Sequence, residues 1–99
     1  MKTKFEWDPE KSKSNLKKHR VSFETAIRAF SDPFALVKKD RIENGEHRWQ
    51  TLGLAENYLL LLVAHTVRDD KDGTEVIRII SARRAEPKER KHYEQNCSL

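Results

Sequence analysis

Residues 58–67 read YLLLLVAHTV and residues 75–82 read EVIRIISA. The first run is apolar at almost every position, the pattern of a strand covered on both faces. The second is rich in β-branched residues and is interrupted by Arg78. Between them, residues 69–74 read DDKDGT, a polar stretch containing Asp-Gly, which marks a hairpin. Residues 58–67 are therefore expected at the centre of an antiparallel sheet, with residues 75–82 beside them. If the hairpin closes symmetrically on 69–74, Arg68 faces Glu75 and His65 faces Arg78, each pair on one face. A slip of one residue reverses that.

Outward from the hairpin, short strands are expected over 35–38 and 48–54, with a strand or extended entry over 5–7. Asp8-Pro9 opens a helix to about Lys18: Asp suits the N-cap, and proline is pre-set for the first helical position. Leu16 is its one large apolar residue, so it packs weakly or covers something polar. Ser22 caps a second helix over 23–30, where Phe23, Ala26, Ile27 and Phe30 recur at helical spacing. Asp32-Pro33 ends it. Glu86-Pro87 opens a C-terminal helix to about Gln95. The expected fold class is α+β: two N-terminal helices, an antiparallel sheet of four to five strands and a C-terminal helix, in a single domain over residues 1–99.

Twenty Lys and Arg stand against sixteen Asp and Glu, a net charge of +4. Residues 1–20 carry seven basic and three acidic side chains, and Arg78, Arg83 and Arg84 crowd the end of the last strand. Two basic zones in so small a chain favour a polyanion or an acidic protein as partner. No apolar run approaches the roughly 20 residues of a membrane span, and no signal-peptide core is present, so a cytoplasmic protein without membrane contact is expected. The lone Cys97 forms no internal disulfide and is either a reactive nucleophile or a bystander near the chain end. The four His and one Cys lack metal-ligand spacing, so neither metal nor cofactor is expected. The three glycines form no phosphate loop.

Arg78 lies between apolar neighbours, where an unpaired guanidinium costs several kcal/mol to bury. It either pairs with an acid such as Glu46 or faces a cleft, where its planar fork suits phosphate. His65 is either a hydrogen-bonded core residue or, beside Arg78, a general acid or base. Arg83 and Arg84 are either solvated at a strand exit or join Arg48 and Arg78 in a positive basin. Lys18 and His19 complement a helix dipole or touch a polyanion. Trp7 and Trp49 anchor the core or stack on an unpaired base.

Phe5-Glu6-Trp7-Asp8, Lys11, Asn15, Lys18-His19 and Val21-Ser22-Phe23-Glu24 resemble the opening of the BrnT toxin family. Glu46-His47-Arg48-Trp49, Gly53, the run from Ile77 to Ala85, then Glu89-Arg90 and Tyr93 resemble the rest of it, over residues 5–93. The run from Arg78 to Ala85 is the most specific part. Two departures are Arg20, where the family usually has glycine, and Glu86, where a polar capping residue is expected.

The resemblance implies a RelE-like fold and a ribonuclease toxin. It also implies a ribbon-helix-helix antitoxin of the BrnA type, with operator DNA bound only through the complex. The mechanism implied is metal-independent cleavage by the RNA 2′-hydroxyl, with arginines stabilising charge on the phosphate. The residues expected to carry it are Arg48, Arg78 and Arg83 at the phosphate and His65 for proton transfer. Trp7, Lys18, His19 and Arg84 are expected to hold RNA. The rival reading is a non-catalytic basic module that partners or co-represses a DNA-binding protein.

Overall fold

A computed structural model describes residues 2–97. The chain opens with strand β1 (Thr3–Trp7) and then helix α1 (Pro9–His19). Asp8 caps α1, its carboxylate accepting from the Glu10 N–H at 2.9 Å, and Pro9 takes the first turn as expected. The helix ends at Arg20, which adopts the left-handed conformation with φ 61°. That is where the resembling family places glycine. Ser22 caps helix α2 (Phe23–Ala26) by accepting from the Thr25 N–H at 3.1 Å. The expected second helix does not stay α-helical: it tightens into a 3-10 turn over Ile27–Ser31.

Four strands follow: β2 (Leu36–Glu43), β3 (Glu46–Glu56), β4 (Leu59–Asp69) and β5 (Glu75–Arg84). Each extends further than its sequence pattern suggests. Helix α3 (Pro87–Cys97) completes the described chain. The sheet order is β1-β5-β4-β3-β2, which puts the apolar β4 at the centre. All neighbours are antiparallel except β1, which lies parallel to β5 with Phe5 opposite Ile77.

The β4–β5 hairpin corrects the symmetric pairing. Asp69 faces Glu75, Thr66 faces Arg78, and His65 faces Ile79. The turn is odd-numbered: Asp70 N–H donates to the Thr74 carbonyl at 2.8 Å, leaving residues 71–73 as the loop, with Gly73 at φ 85°. One residue fewer on one arm moves His65 to the face opposite Arg78.

One face of the sheet is covered by α2 and the 3-10 turn. Phe23, Ala26 and Ala29 pack there on Leu61, Val63, Ile77 and Ile79, flanked by Phe5, Trp7 and Phe30. Gly53 permits this closeness, because a Cβ there would stand 2.6 Å from the Ala29 carbonyl oxygen. On the other face α3 covers one end only, seating Tyr93 with Leu52 and Leu60. The Tyr93 hydroxyl donates to Asp32, which also accepts from the Leu54 N–H at 2.9 Å, so one carboxylate ties helix to sheet. Burial opposes its charge, but hydrogen bonds from Leu54, Tyr93 and Phe34 prevail and hold it below the usual aspartate range.

Of the two expectations for α1, weak packing or a polar contact, the structure shows a polar contact. β1 pairs with β5 only as far as Ile79, leaving the β5 backbone bare beyond it. The buried Asn15 side chain takes over: it donates to the Ala82 carbonyl at 2.9 Å and accepts from the Ala82 N–H at 3.1 Å. The same amide donates to the Val21 carbonyl at 2.9 Å.

Candidate functional site

The half of the sheet face that α3 leaves open carries a row of aligned side chains. Cross-strand pairing sets Glu6 beside Arg78, Arg78 beside Thr66, and Thr66 beside Arg48. Directly paired residues project to one side, so Arg78 and Arg48 flank Thr66, with backbones about 10 Å apart at ordinary strand spacing. Arg78 is exposed between the buried Ile77 and Ile79. Among the described residues its side chain makes no ion pair or hydrogen bond and acts on the neighbouring Glu6 carboxyl only through space, so the expected alternative of a pair with Glu46 is not formed. The Arg48 side chain is 20% exposed; its Nε lies 3.5 Å from Glu43 yet is buried without a hydrogen bond. Two guanidinium forks with unused donors, on either side of a threonine hydroxyl, form an arrangement suited to an oxyanion.

Glu6, at the end of the row, is engaged elsewhere. Arg68 grips it with two hydrogen bonds of 2.9 and 3.2 Å, and that contact holds its carboxyl below the usual glutamate range.

Arg83 faces Leu62, nearer α3, and is committed to structure. It donates to both Glu89 oxygens at 2.9 Å, while Glu89 Oε1 also accepts from the Glu86 N–H at 2.8 Å. Strand exit, helix start and helix first turn are thereby locked together, and Glu86 is tolerated at the cap because Glu89 satisfies its N–H. The Arg83 contact holds Glu89 below the usual glutamate range.

His65 is removed from the proposed chemistry. It lies on the covered face, 2% exposed, with Nε2 2.8 Å from the Thr51 hydroxyl and its ring edge-on to Phe30. Burial pushes its pKa down to about 4, so it is a neutral core residue. Trp7 is likewise a core anchor, edge-on to Phe23 at 5.9 Å rather than open to a base. Arg84 pairs with Leu61 and so lies on the side away from Arg78. Lys18 and His19 stand at the outer margin of β5, lining a depression of 230 Å³ with Lys11, Ile80 and Ser81.

Reading the sequence missed a groove of 420 Å³ between α3 and the sheet, lined by Leu36, Lys38, Gln50, Leu52, Leu62 and His92 among others. Its signal was present: Lys88, Glu89 and His92 fall on one stripe of the helix. Among the described residues no group of three or more His, Cys, Asp or Glu is placed to hold a metal ion. No described helix is long and apolar enough to cross a membrane.

A family model described as the ribonuclease toxin BrnT of type II toxin–antitoxin systems matches residues 7–89. The chain belongs to the BrnT family. The match runs from the end of β1 to the first turn of α3 and includes Arg48, Thr66 and Arg78. Among solved structures, the chain is similar to the Brucella abortus ribonuclease toxin BrnT, with 20% identity and a TM-score of 0.58. That match covers 87% of this chain and 99% of the other, so the two share a fold. No curated protein sequence matches the chain. As a BrnT toxin it is a ribonuclease of a type II pair, with RNA as substrate and an antitoxin as partner.

Proposed function

We propose that this BrnT toxin cleaves RNA without a metal ion, using Arg78 and Arg48 as the clamp on the scissile phosphate. The observation that carries this reading is Arg78, exposed and without a side-chain ion pair or hydrogen bond among the described residues, in the same cross-strand row as Arg48. In the reaction the RNA 2′-oxygen bonds to phosphorus and the bond to the 5′-oxygen breaks. The product ends are a 2′,3′-cyclic phosphate and a 5′-hydroxyl. Negative charge grows on the non-bridging oxygens, where the two guanidinium groups stabilise it. The 2′-hydroxyl proton leaves to water on this open face, and water protonates the departing oxygen. DNA, lacking the 2′-hydroxyl, is resistant.

The partner that fits is a ribbon-helix-helix antitoxin of the BrnA type, encoded beside the toxin and met in the cytoplasm. Operator DNA is bound by the complex. The test is incubation of purified toxin with RNA in EDTA, followed by analysis of the new 3′ ends. Cyclic phosphate ends formed in the chelator support the reading. Activity lost on chelation and restored by a divalent cation overturns it, and a toxin that binds but never cuts RNA is instead a binding module.

A further inference from the structure

We propose that the groove between α3 and the sheet is a nucleobase subsite, which seats the base next to the scissile phosphate and gives cleavage a base preference. This rests on the reading that Arg48 and Arg78 hold that phosphate. Gln50 stands two residues along β3 from Arg48 and on the same face, about 7 Å away at the rise of a strand. Beyond it the floor turns apolar with Leu52 and Leu62, and the His92 ring stands at the rim. The groove thus begins where the phosphate row ends.

The lining decides what fits. An apolar floor rejects a phosphate, and a lysine rim disfavours a basic peptide; Lys38 and Lys88 supply that rim. A nucleobase is the part of RNA with an apolar face and a polar edge. Its face lies on Leu52 and Leu62, or stacks against His92, as unpaired bases do on aromatic rings. Its edge meets the Gln50 carboxamide, which offers donor and acceptor together. Gln50 is held only by a 3.5 Å contact from its nitrogen to Asp40, leaving its carbonyl oxygen unengaged among the described residues. His92 has no side-chain partner there, its backbone carbonyl alone accepting from Asn96. At 420 Å³ the groove falls within the roughly 300–1,000 Å³ of small-molecule sites.

The experiment uses DNA oligonucleotides carrying one ribonucleotide, so that one phosphate can be cut. The base on each side of that phosphate is varied in turn, and kcat/KM is measured for wild type, Gln50→Ala and His92→Ala. Wild type is expected to prefer one base at one flanking position by about tenfold, the worth of a specific hydrogen bond. Gln50→Ala is expected to level that ranking by slowing the favoured substrate most. His92→Ala is expected to raise KM on every substrate through lost stacking; His92 is exposed, so this variant folds. Equal cleavage of all bases by wild type overturns the subsite. So does an unchanged ranking and KM in both variants, including the case where they lose only affinity for the antitoxin, which would make the groove the antitoxin's. Failure of wild type to cut any substrate overturns the phosphate-clamp reading instead, and the subsite with it.

Discussion

Arg78 and Arg83 lie five positions apart and have different fates. Arg78→Lys keeps the charge but loses the planar fork. Cleavage is expected to fall about 10²–10³-fold, the cost of one lost transition-state donor, with melting little changed because the Arg78 side chain makes no ion pair or hydrogen bond among the described residues and lysine keeps its charge beside Glu6. Arg83→Lys is expected to do the reverse, breaking the bidentate grip on Glu89 at 2.9 Å and costing about 1–2 kcal/mol of stability after solvent screening. Thermal melts and RNA cleavage on both variants separate the roles. Arg78 was legible in the sequence because a permanent cation among Val76, Ile77, Ile79 and Ile80 has few places to go. His65 was not, because its face depended on the length of one turn. Its burial has a pH consequence. An unfolded histidine titrates near 6.5 and this one at about 4, so the unfolded chain takes up the proton first. The contribution is full above pH 6.5 and is lost as pH falls toward 4, by up to about 3 kcal/mol. Urea unfolding at pH 7, 5.5 and 4.5 is expected to show that decline in wild type and a flatter profile in His65→Gln.

Among the elements, α1 shows how composition anticipates packing without naming the contact. Its near-total lack of apolar residues signalled weak packing or a polar task, and Asn15 performs the second by bonding the β5 edge where β1 has stopped. The sequence could not name Ala82 as the partner, since that contact spans 67 residues. Asn15→Ala strands the Ala82 N–H and the carbonyls of Ala82 and Val21 and is expected to cost about 3 kcal/mol, read as a lower melting temperature. Arg20 closes the same helix at φ 61°, a conformation that strains a side chain and suits glycine. Arg20→Gly is expected to stabilise the fold by about 1 kcal/mol, measured by chemical denaturation. The helix starts and the central strand were readable because caps and apolar runs are local. The parallel pairing of β1 and the 3-10 tightening arise from distant contacts, such as the approach of Ala29 to Gly53.

On the scale of the whole molecule, the two faces of one sheet divide the work. The covered face supplies the core, and the other face carries exposed Arg78 and half-buried Arg48 on either side of buried Thr66, beside a groove walled by α3. That wall is held by ties that include Asp32 with Tyr93, Arg83 with Glu89, and Arg90 with the Tyr58 carbonyl. A net charge of +4 suits RNA but also favours unspecific contact with any nucleic acid. Specific operator binding is therefore expected from the toxin–antitoxin complex alone. In a mobility-shift assay at physiological salt, the complex should give a discrete sequence-specific shift and the toxin none.

The site is also an event in time. Its two arginines lie on β3 and β5, and β1, which borders β5, pairs with residues 75–79. At roughly 5–20 residues per second of synthesis, seconds pass between the birth of Arg48 and that of Arg78. Sheets closed by such distant pairings then fold slowly. Throughout that interval the growing chain holds one of the two arginines of the proposed clamp. On that reading an antitoxin has until β5 is made and paired to meet the chain before the clamp is complete.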